Sequence, residues 1–388
     1  MNRIVAIDLF CGAGGMTNGL IRAGIHVLAG VDNEPLCERT YLQNKNRDGS
    51  KPEFICKDIF PRKRDYQQGG QREVIKRIEE LIRDYKRWTG YRSLRLVFAI
   101  CAPCQPFTKI TKIKMSNHRQ FRRENDSNLL LTTLALIRHF RPAAIICENV
   151  EGIGEGTGSV LERFRRRLTR IEYSFAAKII NASNFGVPQN RNRTIGIGFD
   201  TKRFKGEFEV LSENKSIRRY LTVRETIGKL PPIAAGEIHT KIPNHRTRTL
   251  SDLNLKRISC AIPGESNRYL SDTPYGNLSL VCHGKLEKKQ GKPSFADTYT
   301  RMHGDEVAPT ITTKFISITN GRFGHYDVKQ NRALSPREAA LLQTFPMRYV
   351  FYPEDNLEFT AILIGNSVPP KLAKYFGSYI KNQLEHAT

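Results

Sequence analysis

The sequence predicts an α/β protein built on a doubly wound, Rossmann-like sheet, with a smaller irregular second domain. Three observations carry that prediction. Short apolar runs alternate with helical stretches over the first half of the chain, at the spacing of βα units. A glycine turn, Gly12-Ala13-Gly14-Gly15, follows the first apolar run and opens a helix. After about Gly206, prolines at 231, 232, 243, 263 and 274 break up a polar, basic segment without sustained period.

Residues 3–10 read as a buried strand, followed by the glycine turn and a helix through 17–22. His26–Asp32 is a second strand and Phe54–Asp58 a short third. Between Arg62 and Trp88 lies a charged helix whose Val74, Ile78, Leu81 and Tyr85 recur at helical spacing. Leu96–Ile100 is the fourth strand, Leu129–Phe140 a helix and Ala143–Cys147 the fifth strand. Ala176–Ile180 and Thr194–Gly198 read as two further short strands. Helix returns near Ser335-Pro336-Arg337-Glu338, an N-cap with proline in the first turn and an acid at the third position. Pro369-Pro370 opens the last helix, which should pack beside the first glycine turn. The chain thus divides into a first segment 1–206, a middle segment 207–307, and a closing segment 308–388 that returns to the first domain.

A chain of 388 residues buries a full core. Its 62 Lys+Arg against 38 Asp+Glu give a net charge of +24, which favours a polyanionic partner through counterion release. No long apolar run supports a membrane. The eight cysteines form no dense framework, and the first strand begins within a few residues of Met1, so the expected setting is the reducing cytosol. Cys101 and Cys104 are spaced like a redox or zinc pair, but no second pair follows, and no metal is expected.

Two strand ends carry the chemistry. Leu96–Ile100 delivers Ala102-Pro103-Cys104-Gln105-Pro106-Phe107, and Ala143–Cys147 delivers Glu148-Asn149-Val150. Ends of neighbouring parallel strands share one crevice, so a thiol and a carboxyl arrive there as nucleophile and proton donor. Asp32, ending the second strand, stands where a carboxylate meets ribose hydroxyls, although a strand-end Asp capping the next helix reads equally well. A nicotinamide enzyme would show a similar glycine turn, but Thr17 occupies the third glycine position of GxGxxG. Lys109, Lys112 and Lys114 follow the thiol directly and suit a cationic lid closing over a phosphate-bearing polyanion.

In order along the chain, Asp8-Leu9-Phe10-Cys11-Gly12-Ala13-Gly14-Gly15, Pro103-Cys104-Gln105, Glu148-Asn149-Val150, Gln189-Asn190-Arg191-Asn192-Arg193, Ala308-Pro309-Thr310-Ile311-Thr312 and Gly365-Asn366-Ser367-Val368-Pro369 resemble the signature of the DNA cytosine-5 methyltransferases. The resemblance implies an S-adenosylmethionine-dependent methyltransferase domain. Phe10, Gly12 and Gly14 would line the cofactor site, Asp32 would bind the ribose, Asp58 and Ile59 the adenine, and Asn366, Ser367 and Val368 would complete it. At Asn33 the family often carries an apolar or aromatic residue, so this chain departs there. Cys104 would add to cytosine C6, Glu148 would serve N3 and the exocyclic amine, and Arg193 or Arg191 would donate to O2 with Gln189 orienting them. A carboxyl in a dry pocket can hold its proton for that task. The cytosine must leave the duplex to be reached.

The middle segment 207–307 is expected to be the target-recognition domain, and it offers His239, Lys241, His245, Arg246, Arg248 and Arg268 as donors to guanine edges and phosphates. Double-stranded DNA is the expected partner, together with a cognate restriction endonuclease. A monomer in a prokaryotic cytoplasm, associated with the nucleoid, is the expected state. A tRNA cytosine-5 methyltransferase of the same fold stays open, since Thr108 stands where DNA enzymes commonly have Ser. A catalytically silent DNA-binding protein on this fold is a further alternative, against which Cys104 and Glu148 speak.

Overall fold

A computed structural model describes residues 3–64, 66–103, 117–280 and 295–386, with side chains of the helix beginning at Asn117 described from Leu129 onward. The chain forms two compact units. The first comprises Met1–Phe185, Asn192–Ser216 and Val368–Thr388, and the second Gly186–Arg191 and Ile217–Ser367.

In the first unit the elements run β1 (Arg3–Leu9), α1 (Gly15–Ala23), β2 (His26–Asp32), α2 (Glu38–Tyr41), β3 (Glu53–Cys56), α3 (Gln71–Thr89), β4 (Leu94–Ile100), α4 (Asn117–Phe140), β5 (Ala144–Asn149), α5 (Val160–Arg170), β6 (Tyr173–Asn181) and β7 (Asn192–Asp200). They build a seven-stranded sheet in the order β3-β2-β1-β4-β5-β7-β6. The first five strands are parallel, and β7 runs antiparallel to both β5 and β6. Strand order reverses between β1 and β4, which makes the carboxyl ends of these two strands the ligand-binding crevice of an open sheet.

Near-continuous apolar runs make strands buried on both faces. Val5, Ala6, Ile7 and Leu9 of β1, and Val97, Phe98, Ala99 and Ile100 of β4, have no exposed surface. Gly69-Gly70 delays α3 to Gln71, later than the Arg62 start expected from periodicity, because glycine disfavours helix. Its Val74, Ile78 and Tyr85 are buried, as their spacing requires. The helix before β5 starts at Asn117 instead of Leu129, ahead of any apolar repeat. Strands β6 and β7 outrun the predicted short strands because their polar ends pair as well. A Cβ at Gly196 would stand 2.5 Å from the Phe175 ring, so glycine there lets the ring cover β7.

The last helix, α10 (Pro370–His386), packs on α1. At Gly19 a Cβ would fall 2.3 Å from that of Ala373, so the two helix backbones approach as only glycine allows.

The second unit contains α6 (Val223–Ile227), α7 (Asp252–Ser259), α8 (Pro336–Leu342) and α9 (Leu357–Asn366), joined by long irregular segments. Its described residues form isolated bridges in place of regular strands. Such segments leave backbone carbonyls without ladder partners, and buried ones must be satisfied otherwise. Buried arginines supply the donors. Arg301 donates to the carbonyls of Ala261, His325, Asp327, Gln330 and Ile258. Arg337 donates to those of Pro243 and Tyr349. Burial pulls both guanidiniums down to about 10, which leaves them charged at neutral pH.

Arg332 grips the unit through a buried ion pair. It donates from both terminal nitrogens to Glu338, at 2.7 and 2.8 Å, and from Nε to the carbonyl of Ile233 at 2.9 Å. Glu338 also completes the capping box of α8 with Ser335. Burial works to raise the Glu338 carboxyl, but attraction and hydrogen bonds from Arg332 and His325 outweigh it and hold the group well below its ordinary 4.5. A depressed carboxyl contributes stability that is present above the unfolded value and lost as pH falls below it. Glu338→Ala is therefore expected to cost about 3–5 kcal/mol, since Arg332 is left as a buried, uncompensated charge. Its acid limb below pH 4.5 should be flatter than that of the unsubstituted protein. Denaturant titrations of both proteins across pH 3–7 check this; parallel acid limbs would rule Glu338 out as their source.

Candidate active site

The turn after β1 is fixed from beneath. Asp8, with no exposed surface, accepts from Thr17 through both the backbone amide (3.0 Å) and the hydroxyl (2.7 Å). The Thr17 hydroxyl also meets that of Tyr41 at 3.1 Å. This accounts for threonine at the third glycine position, where it ties the helix start to the strand end. Burial raises the Asp8 carboxyl to about 7 against the pull of those two hydrogen bonds. A lone acid inside an apolar strand run is the sequence signal for this buried anchor, one that motif reading alone does not single out.

From above, the turn is held by Asp32. Its Oδ2 accepts from the Gly12 amide at 2.9 Å, and its Oδ1 from the Glu34 amide at 3.0 Å. Burial raises this carboxyl, while the amides of Gly12, Glu34 and Asn33 draw it down. Phe10 sits at φ 61, a strained conformation for a side-chain-bearing residue. Gly12, at φ +47, has nothing within 4 Å of where a Cβ would stand. Asp32 is thus a loop anchor, and each of its oxygens keeps a further lone pair beyond its amide bond. Asp58 accepts from the Phe60 amide through Oδ1 and from the Tyr66 hydroxyl through Oδ2, each at 2.7 Å, and Ile59 is buried. Tyr66 lies in a charged, aperiodic stretch and gave no signal in the sequence. These acceptors fit a nucleoside-bearing, positively charged cofactor.

Cys104, with Lys109, Lys112 and Lys114, lies outside the described residues. The approach to Cys104 is described as far as Pro103. Asn149, at the end of β5, donates from Nδ2 to the carbonyl of Ala102 at 3.0 Å and so fastens the two strand ends together. Glu148 is 7% exposed. Arg193 on β7 brings Nε to 2.9 Å from Glu148 Oε1. The contact lacks the direction of a hydrogen bond, so it is an ion pair that leaves the oxygen able to serve a ligand. Cys101 is half-buried by surface but desolvated, and burial pushes its thiol well above the ordinary 9.0. It belongs to the packed strand end.

Arg191 and Gln189 sit differently from expectation. Arg191 is 2% exposed and donates to the carbonyls of Ile311 (2.9 Å) and Gly365 (3.0 Å). Gln189, with no exposed surface, donates to Gln343 Oε1 at 3.0 Å and accepts from the Ile311 amide at 2.9 Å. Both are clamps inside the second unit, and neither presents a donor to DNA or to a base. The alternation of Arg191 and Arg193 in sequence suggested a shared face. The bridge of Gln189 to Ala308 pulls the chain into the second unit before β7 begins at Asn192.

Asn366 is exposed at the end of α9, Ser367 is buried with its hydroxyl donating to the Leu363 carbonyl at 2.6 Å, and Val368 is buried. Among the recognition candidates, His245 is buried between Ser335 and the Pro231 carbonyl, at 2.9 and 2.8 Å, and is structural. Arg246 donates to the Glu354 carbonyl at 3.2 Å, and Arg248 pairs with Glu358. No group of three or more potential metal ligands occurs among the described residues, and no described helix is long and apolar enough to cross a membrane.

The sheet order and its reversal at β1/β4 define a Rossmann-like enzyme of the kind that DNA methyltransferases share. A family model described as C-5 cytosine-specific DNA methylase matches residues 4–382, and the chain belongs to that family. It is 36% identical over 382 residues to the Type II methylase M.HgiDII of Herpetosiphon aurantiacus, covering 98% of this chain and 95% of that protein. To the Type II methyltransferase M1.HphI of Haemophilus parahaemolyticus it is 29% identical over 369 residues, covering 95% and 84%. A prophage-encoded E. coli protein, described as a DNA modification methyltransferase, superposes with a TM-score of 0.68 at 19% identity, over 99% of this chain and 100% of that one. The chain is a DNA (cytosine-5) methyltransferase.

Proposed function

We propose that the enzyme methylates one cytosine of a specific duplex sequence through a covalent Cys104–C6 adduct, as the modification partner of a restriction endonuclease in a prokaryotic cytoplasm. The observation that carries this reading is the Asn149 bond to Ala102, which fixes the end of β5, and hence Glu148, against the segment that leads to Cys104. C5 of cytosine is too weak a nucleophile alone. Thiolate addition at C6 makes C5 an enamine carbon, and Glu148, which takes a proton from water as the base enters and displaces its ion pair with Arg193, supplies that proton at N3 to neutralise the charge created there. Arg193, already beside Glu148, orients the carboxyl and faces the base at O2.

S-adenosylmethionine, when bound, supplies the electrophilic methyl that C5 accepts. Phe10, Gly12, Gly14, Asp32, Asp58 and Ile59 would hold it, with Asn366, Ser367 and Val368 assigned to it by resemblance. Transfer of the C5 proton to a water molecule, with the C6–S electron pair leaving on the thiolate, then restores aromaticity, and N3 returns its proton to Glu148. Lys109, Lys112 and Lys114 grip phosphates around the displaced base. The recognition function belongs to the irregular segment 207–307, and Arg246 and Arg248 on its surface serve phosphates once Arg248 leaves Glu358.

Bisulfite sequencing of DNA from cells expressing the protein should reveal one short motif protected at a single cytosine. Methylation found in tRNA and absent from DNA would overturn the assignment of duplex substrate.

A further inference from the structure

Residues 237–247 of the second unit fold as a short hairpin. The amide of His239 donates to the His245 carbonyl at 2.9 Å, that of Thr247 to the Glu237 carbonyl at 3.0 Å, and Ile238 bridges Arg246. Its base is held firmly. The Asn244 side chain both donates to and accepts from the backbone of Phe351, each at 2.8 Å. Arg337 donates to the carbonyls of Pro243 and Asn244 at 3.0 and 2.9 Å. The tip, by contrast, projects into solvent: Thr240 and Lys241 are exposed, and Ile238 is 57% exposed.

At the start of that tip, His239 Nδ1 accepts from the amides of Lys241 (3.2 Å) and Ile242 (3.1 Å). Two amide donors on one ring nitrogen require it to be unprotonated, and the neutral ring then carries its proton on Nε2. Nε2 has no partner among the described residues and is not enclosed. The result is a single solvent-accessible N–H donor, of fixed tautomer, on a rigidly based hairpin. Lys241 beside it adds a cation suited to phosphate. A donor that cannot accept discriminates in favour of base-edge acceptors, and guanine presents O6 and N7 together in the major groove.

We propose that His239 is a specificity-determining residue, its Nε2–H reading an acceptor on one base, with guanine the best match, in the methylated sequence. The proposal rests on the assignment of recognition to this unit.

Two substitutions separate reading from mere turn formation. In His239→Asn the amide oxygen can replace Nδ1 as acceptor for the turn, but the accessible donor is gone. In His239→Gln the amide nitrogen reaches the position of Nε2, but the turn acceptor is gone. Each variant and the unsubstituted enzyme would methylate a random-sequence duplex library read by bisulfite sequencing. Melting temperature and S-adenosylmethionine binding would be measured alongside. His239→Asn should relax preference at one base pair by about fivefold to tenfold, with cofactor binding unchanged, and His239→Gln should keep that preference. An unchanged motif in His239→Asn overturns the proposal, as does loss of preference in His239→Gln alone. Loss of turnover in both variants, with folding and cofactor binding intact, overturns it too, because the ring would then serve the reaction. Exchange of residues 217–280 for the matching segment of a related enzyme tests the underlying assignment separately. A motif that stays unchanged in that folded hybrid moves recognition elsewhere, whatever the point variants do.

Discussion

Cys104→Ser is expected to abolish methyl transfer while leaving S-adenosylmethionine binding nearly unchanged. The thiolate is accessible near neutral pH and adds well to a polarised ring, whereas a serine hydroxyl stays protonated and adds poorly. The described cysteines of the neighbouring strand ends do not replace it. Cys101 lies at the same strand end, but burial drives its thiol far above the range in which a thiolate forms, and Cys147 and Cys11 are pushed up in the same way. Cys101→Ser should therefore remain active, provided it folds. Transfer of labelled methyl to duplex DNA, with calorimetric titration of the cofactor, reads both quantities. A duplex carrying 5-fluorocytosine at the target should trap a denaturant-resistant adduct with the unsubstituted enzyme and none with Cys104→Ser, because fluorine cannot depart as a cation. Substantial turnover by Cys104→Ser would remove covalent catalysis from the mechanism.

The positions of the strands could be read from the sequence because β1, β2, β4 and β5 are buried over most of their length and show as nearly continuous apolar runs. The parallel order followed from helices lying between them. The edges of elements were less legible. Polar residues at the ends of β6 and β7 pair with each other, and pairing leaves no trace in composition. The irregular second unit was visible only as a loss of period. What organises it, arginines donating to carbonyls scattered from Ile233 to Gly365, depends on contacts between residues far apart in the chain. In sequence, Arg301, Arg332 and Arg337 look like surface charge, and Arg191 like a contact to the base.

The same reason governs the site. Glu148 and Asp32 were legible because each ends a strand, and strand ends have one destination in this topology. Gln189 and Arg191 carry the same polar chemistry, but side-chain type alone does not tell a clamp from a contact. His245 and His239 make the point within a single hairpin, one enclosed between Ser335 and Pro231 and the other accessible to solvent. Tyr66 and Asn149 emerge only once their partners Asp58 and Ala102 are placed.

Glu148→Gln should lower the rate of transfer by about 10²–10⁴-fold, the range for loss of a positioned proton donor. Glutamine preserves shape and can still hydrogen-bond N3, so DNA binding should persist; what it cannot do is deliver a proton there. The ion pair with Arg193, at 2.9 Å and largely buried, makes a second outcome testable. If Arg193 acts by orienting the carboxyl, Arg193→Gln should lower the rate as well. The double substitution should then fall little below Glu148→Gln, since a group that works through another loses its effect once the other is gone. Were the two losses to add, Arg193 would be acting on the base directly, in keeping with its proposed contact at O2. Melting temperatures guard against a trivial cause, because Glu148→Gln leaves the guanidinium without its countercharge. Turnover by Glu148→Gln at the rate of the unsubstituted enzyme would sink the assignment of the carboxyl, and N3 would have to take its proton from water.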